Sequence, residues 1–401
     1  MSWPTVKLSE VTTVNPRLPK DADDTQKVSF IAMASTSEEG LLLNEESRIL
    51  AETRKGFTYF EKSDVLLAKI TPCFENGKCL RPNQITNQIG FGSTEFHVLR
   101  ASPEKIDSAY LFYMIWNKRF RYLGEASMSG AAGQKRVSAD FLKEFEIPLP
   151  PLTEQKRIAA ILDKADAIRR KRQQAIQLAD DFLRAVFLDM FGDPVTNPKG
   201  WEVKPLSKGI DLITSGWSAK GESYPCQNGK TGVLKISSVT SGKFKPEENK
   251  LVYEERIPKG KVLVFPGKGD LLFSRANTRE LVAATCIVPS DVNNVFLPDK
   301  LWKITTKTTA LLPEFLNHLI WQPRFKEKLT SQATGTSGSM LNISKSKFES
   351  TETIFPPLHL QKEFNSIYWK VQTTICCLEE SLLKVEETLN SISQNAFKGL
   401  L

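Results

Sequence analysis

A duplication is the feature that most limits what this chain can fold into. The segment YLFYMIWNKRF at 110–120 returns as FLNHLIWQPRF at 315–325, and Pro150-Pro151-Leu152-x-x-Gln155 returns as Pro356-Pro357-Leu358-x-x-Gln361. The repeats of solenoids and propellers recur every ~20–50 residues, much closer together than these two copies. The spacing therefore predicts a duplicated domain, followed each time by a helix. Such a chain has the internal two-fold symmetry that suits a target in two parts.

Length and charge narrow the class of protein. A chain of 401 residues has room for two or three domains with their own cores. Its formal net charge of +8 favours an anionic partner without proving one. The six cysteines include no Cys-x-x-Cys pair, which is typical of a reduced compartment. No apolar run is long enough for a membrane span, so we expect a cytoplasmic protein without a membrane partner.

Each copy shows the same series of local patterns. A strand led by Trp3 or Trp201 comes first, a strand-like run follows, and a short amphipathic helix precedes a loop rich in small residues. We therefore predict an α+β protein with two repeated α/β domains. Two long helices, packed as an antiparallel coiled coil, separate these domains with pseudo-two-fold symmetry. The predicted boundaries are 1–150 and 193–356 for the domains, and 151–192 and 357–401 for the helices.

Apolar residues three and four apart mark both long helices, as in a coiled coil. A helix of about 38 residues is ~57 Å long, which exceeds the width of a domain core. The two apolar stripes are therefore expected to bury each other, with Arg172 in the position that Leu378 takes in the second copy. The predicted seam consists of Ile158, Ile161, Ile168, Phe182 and Val186 in the first helix, and Phe364, Ile367, Val371, Leu378, Val385 and Ile392 in the second.

Motifs for catalysis or metal binding are weak. Residues 228–231, NGKT, end like a phosphate-binding loop, but Tyr224 occupies the position of its first glycine. Asp193 with Glu202 and Lys204 fits a loose nuclease pattern that chance explains better. The three histidines are far apart and have no cysteine at ligand spacing. We therefore predict no active site, no metal site and no cofactor in this chain.

The Pro-Pro-Leu-x-x-Gln motif before a long helix resembles a known family. Residues 147–163, IPLPPLTEQKRIAAILD, are similar to the central region of the specificity subunit of type I restriction-modification systems. Residues 355–364 and 395–401 resemble the C-terminal region of that subunit. The phrase GDLL at 269–272 also matches, although the first copy has SDVL in its place. A second departure is His359-Leu360, where the family tends to have a Thr-Glu pair.

The resemblance implies two target-recognition domains, each reading one half of a split double-stranded DNA target. It implies that the helices act as a ruler between the half-sites and dock two adenine methyltransferase subunits, with two translocase-nuclease subunits completing the complex. S-adenosylmethionine, ATP and Mg²⁺ would then bind only to partner subunits. The chain itself would be a non-catalytic DNA-recognition subunit.

Candidate DNA contacts follow from the chemistry of the grooves. Arg, Lys, Asn and Gln read base edges, whereas basic side chains, hydroxyls and backbone amides hold phosphates. The candidates in the first domain are Lys69, Lys78, Gln134, Lys135 and Arg136. In the second domain they are Ser274, Arg275, Asn277, Arg279, Ser339, Asn342 and Lys345. A solvated surface charge explains any one of them equally well, but their recurrence in both copies favours DNA.

Two other functions stay open at this point. An enzyme with its own active site is disfavoured because the required motifs are missing. A coiled-coil scaffold or interaction protein without sequence-specific DNA reading is the stronger alternative. The salt dependence of DNA affinity separates it from a DNA reader, since phosphate contacts make affinity fall steeply with salt.

Overall fold

The chain divides into two compact units in the computed structural model, which describes residues 3–131, 133–227, 229–335 and 340–398. Unit 1 comprises residues 1–173 and 379–401, and unit 2 comprises residues 174–378. Each unit therefore contains one domain and a part of each long helix.

Unit 1 contains two four-stranded sheets and a strand pair. Their strand orders are β2-β9-β6-β7, β4-β3-β8-β5 and β1-β10. The strands are β1 Thr5–Lys7, β2 Thr12–Val14, β3 Lys27–Ile31, β4 Glu46–Ile49, β5 Thr58–Glu61, β6 Val65–Ala68, β7 Cys79–Leu80, β8 Ile89–Gly92, β9 Phe96–Ala101 and β10 Glu146–Pro148. The helices are α1 Leu8–Val11, α2 Leu50–Thr53, α3 Ser108–Trp116, α4 Lys118–Ser127 and α5 Ala139–Glu144, followed by the long helix α6 Leu152–Phe191, which continues into unit 2.

Unit 2 contains one four-stranded sheet, one three-stranded sheet and two strand pairs. Their orders are β12-β19-β15-β17, β14-β13-β18, β11-β21 and β16-β20. The strands are β11 Val203–Pro205, β12 Ile210–Ser215, β13 Gly232–Leu234, β14 Asn249–Leu251, β15 Leu271–Ser274, β16 Ala276–Asn277, β17 Thr285–Ile287, β18 Val295–Phe296, β19 Leu301–Thr306, β20 Leu341–Asn342 and β21 Glu352–Ile354. The helices are α7 Pro313–Trp321, α8 Pro323–Thr330, α9 Lys345–Ser350 and the long helix α10 Leu358–Lys398, whose last part belongs to unit 1.

The two units share most of their topology. An antiparallel pair joins the first and last strands of each domain, β1 with β10 and β11 with β21. Each domain also contains one parallel pairing, β3 with β8 and β13 with β18. The helix pair α3–α4 in unit 1 matches α7–α8 in unit 2, where the repeated sequence segments lie. The duplication read from the sequence is therefore a duplication of fold.

The long helices pack together in both units. In unit 1, Ile158 and Leu162 near the start of α6 belong to one core cluster with Ala396, near the end of α10. In unit 2, Phe187 near the end of α6 packs on Phe364 near the start of α10, with ring centroids 5.5 Å apart. The two helices are thus antiparallel. The predicted fold class, two α/β domains with an antiparallel helix pair, is confirmed.

The register predicted for the seam of α6 needs a correction. Ile158 is buried and Ile161 and Val186 are half-buried, but Ile168 is 40% exposed and Phe182 is 53% exposed. The buried stripe lies one residue further along, at Leu162, Leu183 and Phe187, for instance. In α10 the prediction fits better: Phe364 is buried, and Ile367, Val371, Leu378, Val385 and Ile392 are half-buried.

Two buried charges explain this error. Asp166 is 3% exposed and Arg169 is 5% exposed, and both lie on the buried stripe of α6. Arg169 donates to Asp166 Oδ1 from Nε at 2.9 Å and from Nη2 at 2.7 Å. Its guanidinium also lies 5.7 Å from the ring centroid of Trp116. A seam predicted from apolar residues alone omits Asp166 and Arg169, and it is therefore placed on the neighbouring face of α6.

The repeated glutamine of the Pro-Pro-Leu-x-x-Gln motif ties each long helix to its domain. Gln155 is fully buried; its Nε2 donates to Lys105 O and Pro150 O, and its Oε1 accepts from Asp107 N at 2.8 Å. Gln361, also fully buried, donates to Ala310 O and Pro356 O and accepts from Leu312 N at 2.9 Å. Each amide thus binds the segment before α3 or α7. We call these two arrangements the glutamine clamps.

Replacing Gln155 or Gln361 by Ala should destabilise the unit that contains it. Each change leaves a buried backbone N–H and two carbonyls without their partner, at a cost of about 2–4 kcal/mol. Hydrogen exchange should show faster exchange of the Asp107 amide in the first variant and of the Leu312 amide in the second. The exposed Gln177 provides the control, and Gln177→Ala should leave both amides protected. Unchanged protection in the clamp variants would contradict the clamp.

His318 in α7 lies in an aromatic cluster of unit 2. Its ring is 5.1 Å from Phe364, 5.6 Å from Tyr368 and 6.0 Å from Phe187, measured between centroids. Burial, with a smaller contribution from the charge of Arg184, lowers the pKa of His318 to about 4. The folded unit therefore holds this imidazole neutral.

The stability of unit 2 should consequently fall as the pH drops from 6.5 to 4. The unfolded chain protonates His318 below a pKa of ~6.5, whereas the folded chain does so only near 4, so unfolding takes up a proton in this window. The expected slope is at most ~1.4 kcal/mol per pH unit. Chemical unfolding measured between pH 7 and 4 should show a smaller slope for His318→Phe than for the wild type. His359→Phe, at an exposed position of α10, should keep the wild-type slope, and equal slopes for all three proteins would refute the assignment.

Candidate nucleic-acid interface

In unit 1, two segments that carry predicted DNA contacts pair through their backbones. The first follows β6 and contains Lys69, and the second precedes α5 and contains Arg136. Val137 N donates to Lys69 O at 2.9 Å, and Thr71 N donates to Lys135 O at 3.0 Å. The structure therefore brings Lys69, Lys135 and Arg136 together. Because these hydrogen bonds join backbone groups, the pairing of the two segments does not require particular side chains on Lys69, Lys135 and Arg136.

Glu95, a residue absent from the predicted site, orients Arg136. The guanidinium donates to both carboxylate oxygens, from Nε at 2.9 Å and from Nη2 at 2.8 Å. The same contact lowers the pKa of the Glu95 carboxyl, chiefly through hydrogen bonding to Arg136. The Arg136 side chain keeps 41% of its surface exposed. It is thus presented at the surface in a fixed orientation.

His97 holds the same segment through a hydrogen bond to its backbone. Its Nε2 lies 2.9 Å from Val137 O, and its Nδ1 lies 3.1 Å from Asn15 Nδ2. Burial lowers the pKa of His97, so the neutral ring with a proton on Nε2 fits both contacts. This histidine has a structural role, in agreement with the absence of a ligand-like spacing in the sequence.

The remaining candidates of the first domain differ in exposure. Gln134 and Lys135 are exposed beside Arg136. Lys78 is half-buried, and its Nζ donates to Met33 O at 3.2 Å. Gln134 and Lys135 are therefore the side chains with the greatest freedom to reach a ligand, whereas the Lys78 ammonium is already engaged.

Unit 2 builds the corresponding cluster with a different set of side chains. Strands β16 and β20 pair Ala276 with Asn342, and Ile343 N donates to Arg275 O at 2.9 Å, as Val137 N does to Lys69 O. Arg275 donates from Nη1 to Asn342 Oδ1 at 2.9 Å and from Nε to Asp299 O at 2.8 Å. The arginine of the cluster thus follows the end of β15 in unit 2, where it is Arg275. In unit 1 it is Arg136 and lies in the loop before α5.

Four further candidates of the second domain have been placed by the structure, and one has not. Asn277 is half-buried and accepts from Thr278 N, while Arg279 and Lys345 are exposed. Ser274 is fully buried and its Oγ has no hydrogen-bond partner, so the prediction that it contacts DNA is corrected. The prediction fails because Ser274 is the last residue of β15 and its side chain lies in the core. All four residues of β15 are buried, so the strand lacks the alternation of buried and exposed residues from which the burial of Ser274 could be predicted. Ser339 lies outside the described residues.

The acidic partners of the two arginines were missed at the sequence level. Glu95 precedes β9 and Asp299 precedes β19, at nearly equivalent places in the two copies. An acid recurring near the same position of both copies is the signal that would have found them. Within the described ranges, no group of three or more His, Cys, Asp or Glu side chains could hold a metal ion, and no helix is long and apolar enough to cross a membrane.

Comparison with known proteins shows what this chain is similar to. Residues 2–178 match the family described as the type I restriction modification DNA specificity domain. The specificity subunit of the type I restriction enzyme EcoEI from Escherichia coli is 26% identical, over 98% of this chain and 80% of that protein. The specificity subunit of EcoAI from Escherichia coli is 40% identical over a shorter stretch, 39% of this chain and 26% of that protein.

Solved structures share the fold. The type I restriction-modification S subunit from M. genitalium gives a TM-score of 0.56 at 14% identity, covering 98% of this chain and 96% of that one. A chain from a study of complex assembly and conformational transition in a type I R-M system gives a TM-score of 0.53 at 18% identity, covering 100% and 98%. The chain is therefore similar to type I restriction enzyme specificity subunits along nearly its whole length, and it shares the fold of these solved structures.

Proposed function

We propose that this chain reads a bipartite double-stranded DNA target, with one half-site recognised by each domain. The observation that carries the proposal is the duplicated cluster at Lys69–Arg136 and Arg275–Asn342, in which an acid orients an exposed or half-exposed arginine. Arginine is the side chain that most often reads guanine in the major groove, and a fixed orientation favours such a bidentate contact. Two such clusters in one chain suit a target with two halves.

The different composition of the two clusters supports an asymmetric target. Unit 1 presents Gln134, Lys135 and Arg136 from the loop before α5, whereas unit 2 presents Asn342 from β20 and Arg275 from the position after β15. Donors and acceptors in different positions match different base edges. We therefore propose that the two half-sites have unlike sequences and that the helices set the distance between them.

We further propose that two adenine methyltransferase subunits dock on this chain and that two translocase-nuclease subunits complete the restricting complex. Apolar side chains exposed on α6 support a partner surface. In unit 2, Leu178 is 59% exposed and Phe182 is 53% exposed, one helical turn apart. S-adenosylmethionine, ATP and Mg²⁺ would bind to these partners, and the chain itself would carry out no chemistry in the cytoplasm.

The test of the function is a genome-wide map of methylated adenines in a host that carries this chain and its methyltransferase subunits. A single split motif, methylated on both strands and lost without this chain, would establish it as the sequence reader. A methyltransferase that binds its cofactor and this chain but produces no new methylation would favour a scaffold instead.

Changing one arginine should alter the recognition of one half-site. We expect Arg136→Ala or Arg275→Ala to lower the affinity for the full target by about tenfold or more, because each loses a groove contact worth ~1–3 kcal/mol. Binding should be measured with duplexes in which either half-site is scrambled. Arg157→Ala removes an exposed arginine that pairs with Glu154 and serves as the control. Equal loss of discrimination in both halves would count against two separate readers.

Phe182→Ser should weaken methyltransferase docking without affecting the fold. The exposed ring contributes little to the stability of unit 2, but covering it in a complex would contribute about 1.5–3 kcal/mol. Titration of the methyltransferase subunit should show affinity reduced by about tenfold or more. Val203→Ser, at another exposed apolar position of unit 2, is the matched control. Unaltered methyltransferase affinity in Phe182→Ser would exclude this part of α6 from the docking surface.

A further inference from the structure

The acid beside the arginine is bound much more tightly in one cluster than in the other. In unit 1 both carboxylate oxygens of Glu95 accept from Arg136, at 2.9 and 2.8 Å, and 27% of the Glu95 side chain is exposed. In unit 2 the closest approach of the Asp299 carboxylate to Arg275 is 3.5 Å, between Oδ2 and Nη2, and 45% of the Asp299 side chain is exposed. The arginine therefore occupies the carboxylate of Glu95 but leaves that of Asp299 accessible.

Arg275 does not depend on the Asp299 carboxylate for its orientation. Its Nε donates to the backbone carbonyl of Asp299 at 2.8 Å, and its Nη1 donates to Asn342 Oδ1 at 2.9 Å. Any residue at position 299 would supply the same carbonyl, because every residue carries a backbone acceptor. The carboxylate of Asp299 is thus available for a contact of its own.

The segment after β12 holds this carboxylate in place. Ser218 Oγ donates to Asp299 Oδ1, and Asp299 N lies 3.4 Å from Ser218 Oγ, to which it donates. Next to the serine, Trp217 N donates to Leu297 O at 2.9 Å. Gly216 permits this close approach, because a Cβ at its position would lie 1.8 Å from Leu297 O. Ser218 thus fixes Oδ1, and Oδ2 is the oxygen that can accept from a ligand.

The corresponding segment of unit 1 binds other residues. After β2, Asn15 Oδ1 accepts from Val98 N at 3.0 Å, and Asn15 Nδ2 lies 3.1 Å from His97 Nδ1. Asn15 thus binds β9 two and three residues beyond Glu95. A hydroxyl that holds the acid of the cluster is therefore a feature of unit 2, and it makes the two clusters chemically unlike.

A fixed, accessible carboxylate beside an arginine matches the base edges in the major groove. There a carboxylate accepts from the N4 amino group of cytosine, whereas an arginine donates to guanine. The 3.5 Å between the two groups is comparable with the ~3.4 Å step between neighbouring base pairs. Because a carboxylate repels phosphates, its place beside Arg275 favours contact with a base over contact with the DNA backbone.

We propose that Asp299 reads a base directly: its Oδ2 accepts from the N4 amino group of a cytosine in the base pair next to the one that Arg275 contacts. Ser218 is a positioning residue that holds the carboxylate for this contact. Glu95 has a different role in unit 1, where it orients Arg136 and reads no base. The inference rests on the proposed function and adds a hydrogen-bond acceptor to the reading of one half-site.

The experiment maps adenine methylation across the genome of a host that carries the full chain and its methyltransferase subunits. Asp299→Asn keeps the size of the side chain and an acceptor for Ser218, but it removes the charge and one acceptor oxygen. It should reduce the preference for cytosine at one base pair of one half-site by about fivefold or more. That base pair should differ from the one altered by Arg275→Ala. Asp291→Asn removes the charge of another exposed aspartate of unit 2, and this control should preserve the wild-type motif.

Further variants separate positioning from reading. Ser218→Ala should relax the same base pair as Asp299→Asn, whereas Ser218→Thr retains the hydroxyl and should keep the wild-type motif. An unaltered motif in Ser218→Ala would overturn the positioning role. Glu95→Gln should alter only the base pair that Arg136→Ala alters, because Glu95 acts through its arginine. Ser218 is exposed, so its variants test the proposal even if Asp299→Asn fails to fold.

The outcomes separate this contact from the function on which it rests. A wild type that yields no split motif refutes the proposed function and the inference with it. A wild-type split motif that persists unchanged in Asp299→Asn refutes only the inference. A change confined to the base pair that Arg275→Ala alters also refutes it, since Asp299 would then act through the arginine. An equal weakening at every base pair would assign Asp299 to the general charge of the surface and would likewise overturn the reading of a base.

Discussion

The two glutamine clamps are the interaction on which the rest of each unit depends. A long helix that only packed on its domain through apolar contacts could slide or rotate, because apolar contacts have little directional preference. Gln155 and Gln361 each bind three backbone groups on two segments in a fully buried position, so a shift in either direction breaks several hydrogen bonds. The clamp thereby fixes the segment that starts α3 or α7 relative to the start of the long helix.

Contacts made along the two long helices add to the glutamine clamps in fixing the position of these helices. In unit 2, Phe187 and Phe191 of α6 pack on Phe315 of α7 and on Phe364 of α10. In unit 1, Arg169 takes part in place of an aromatic ring, pairing with Asp166 and lying over Trp116. A buried ion pair adds little net stability, but any other register leaves both charges unpaired at a high cost. Beyond the clamps, the ion pair of Arg169 adds a directional contact in unit 1, whereas the added contacts in unit 2 are mainly between aromatic rings.

Much of the architecture could be predicted from the sequence because duplication and helical periodicity are properties of the sequence itself. The repeated segments predicted two α/β domains, and the length of the stripes predicted that the helices pair. The seam of α6 could not be placed correctly, since Asp166 and Arg169 occupy positions that an apolar pattern leaves out. The residues of the candidate DNA-binding site were harder to predict than the helix seam. Ser274 has the composition of a DNA contact but lies in the core, and Glu95 and Asp299 act on arginines distant in sequence.

The candidate interface can vary without refolding because backbone hydrogen bonds build it. Val137 N to Lys69 O and Ile343 N to Arg275 O make the same connection in the two units, whatever side chains these residues carry. The arginine is consequently free to occupy the loop in one unit and the strand end in the other, and the acid that orients it moves from Glu95 to Asp299. Such a site changes its pattern of donors and acceptors by substitution alone. That separation between a fixed scaffold and variable contacts suits the proposed function of reading DNA sequence.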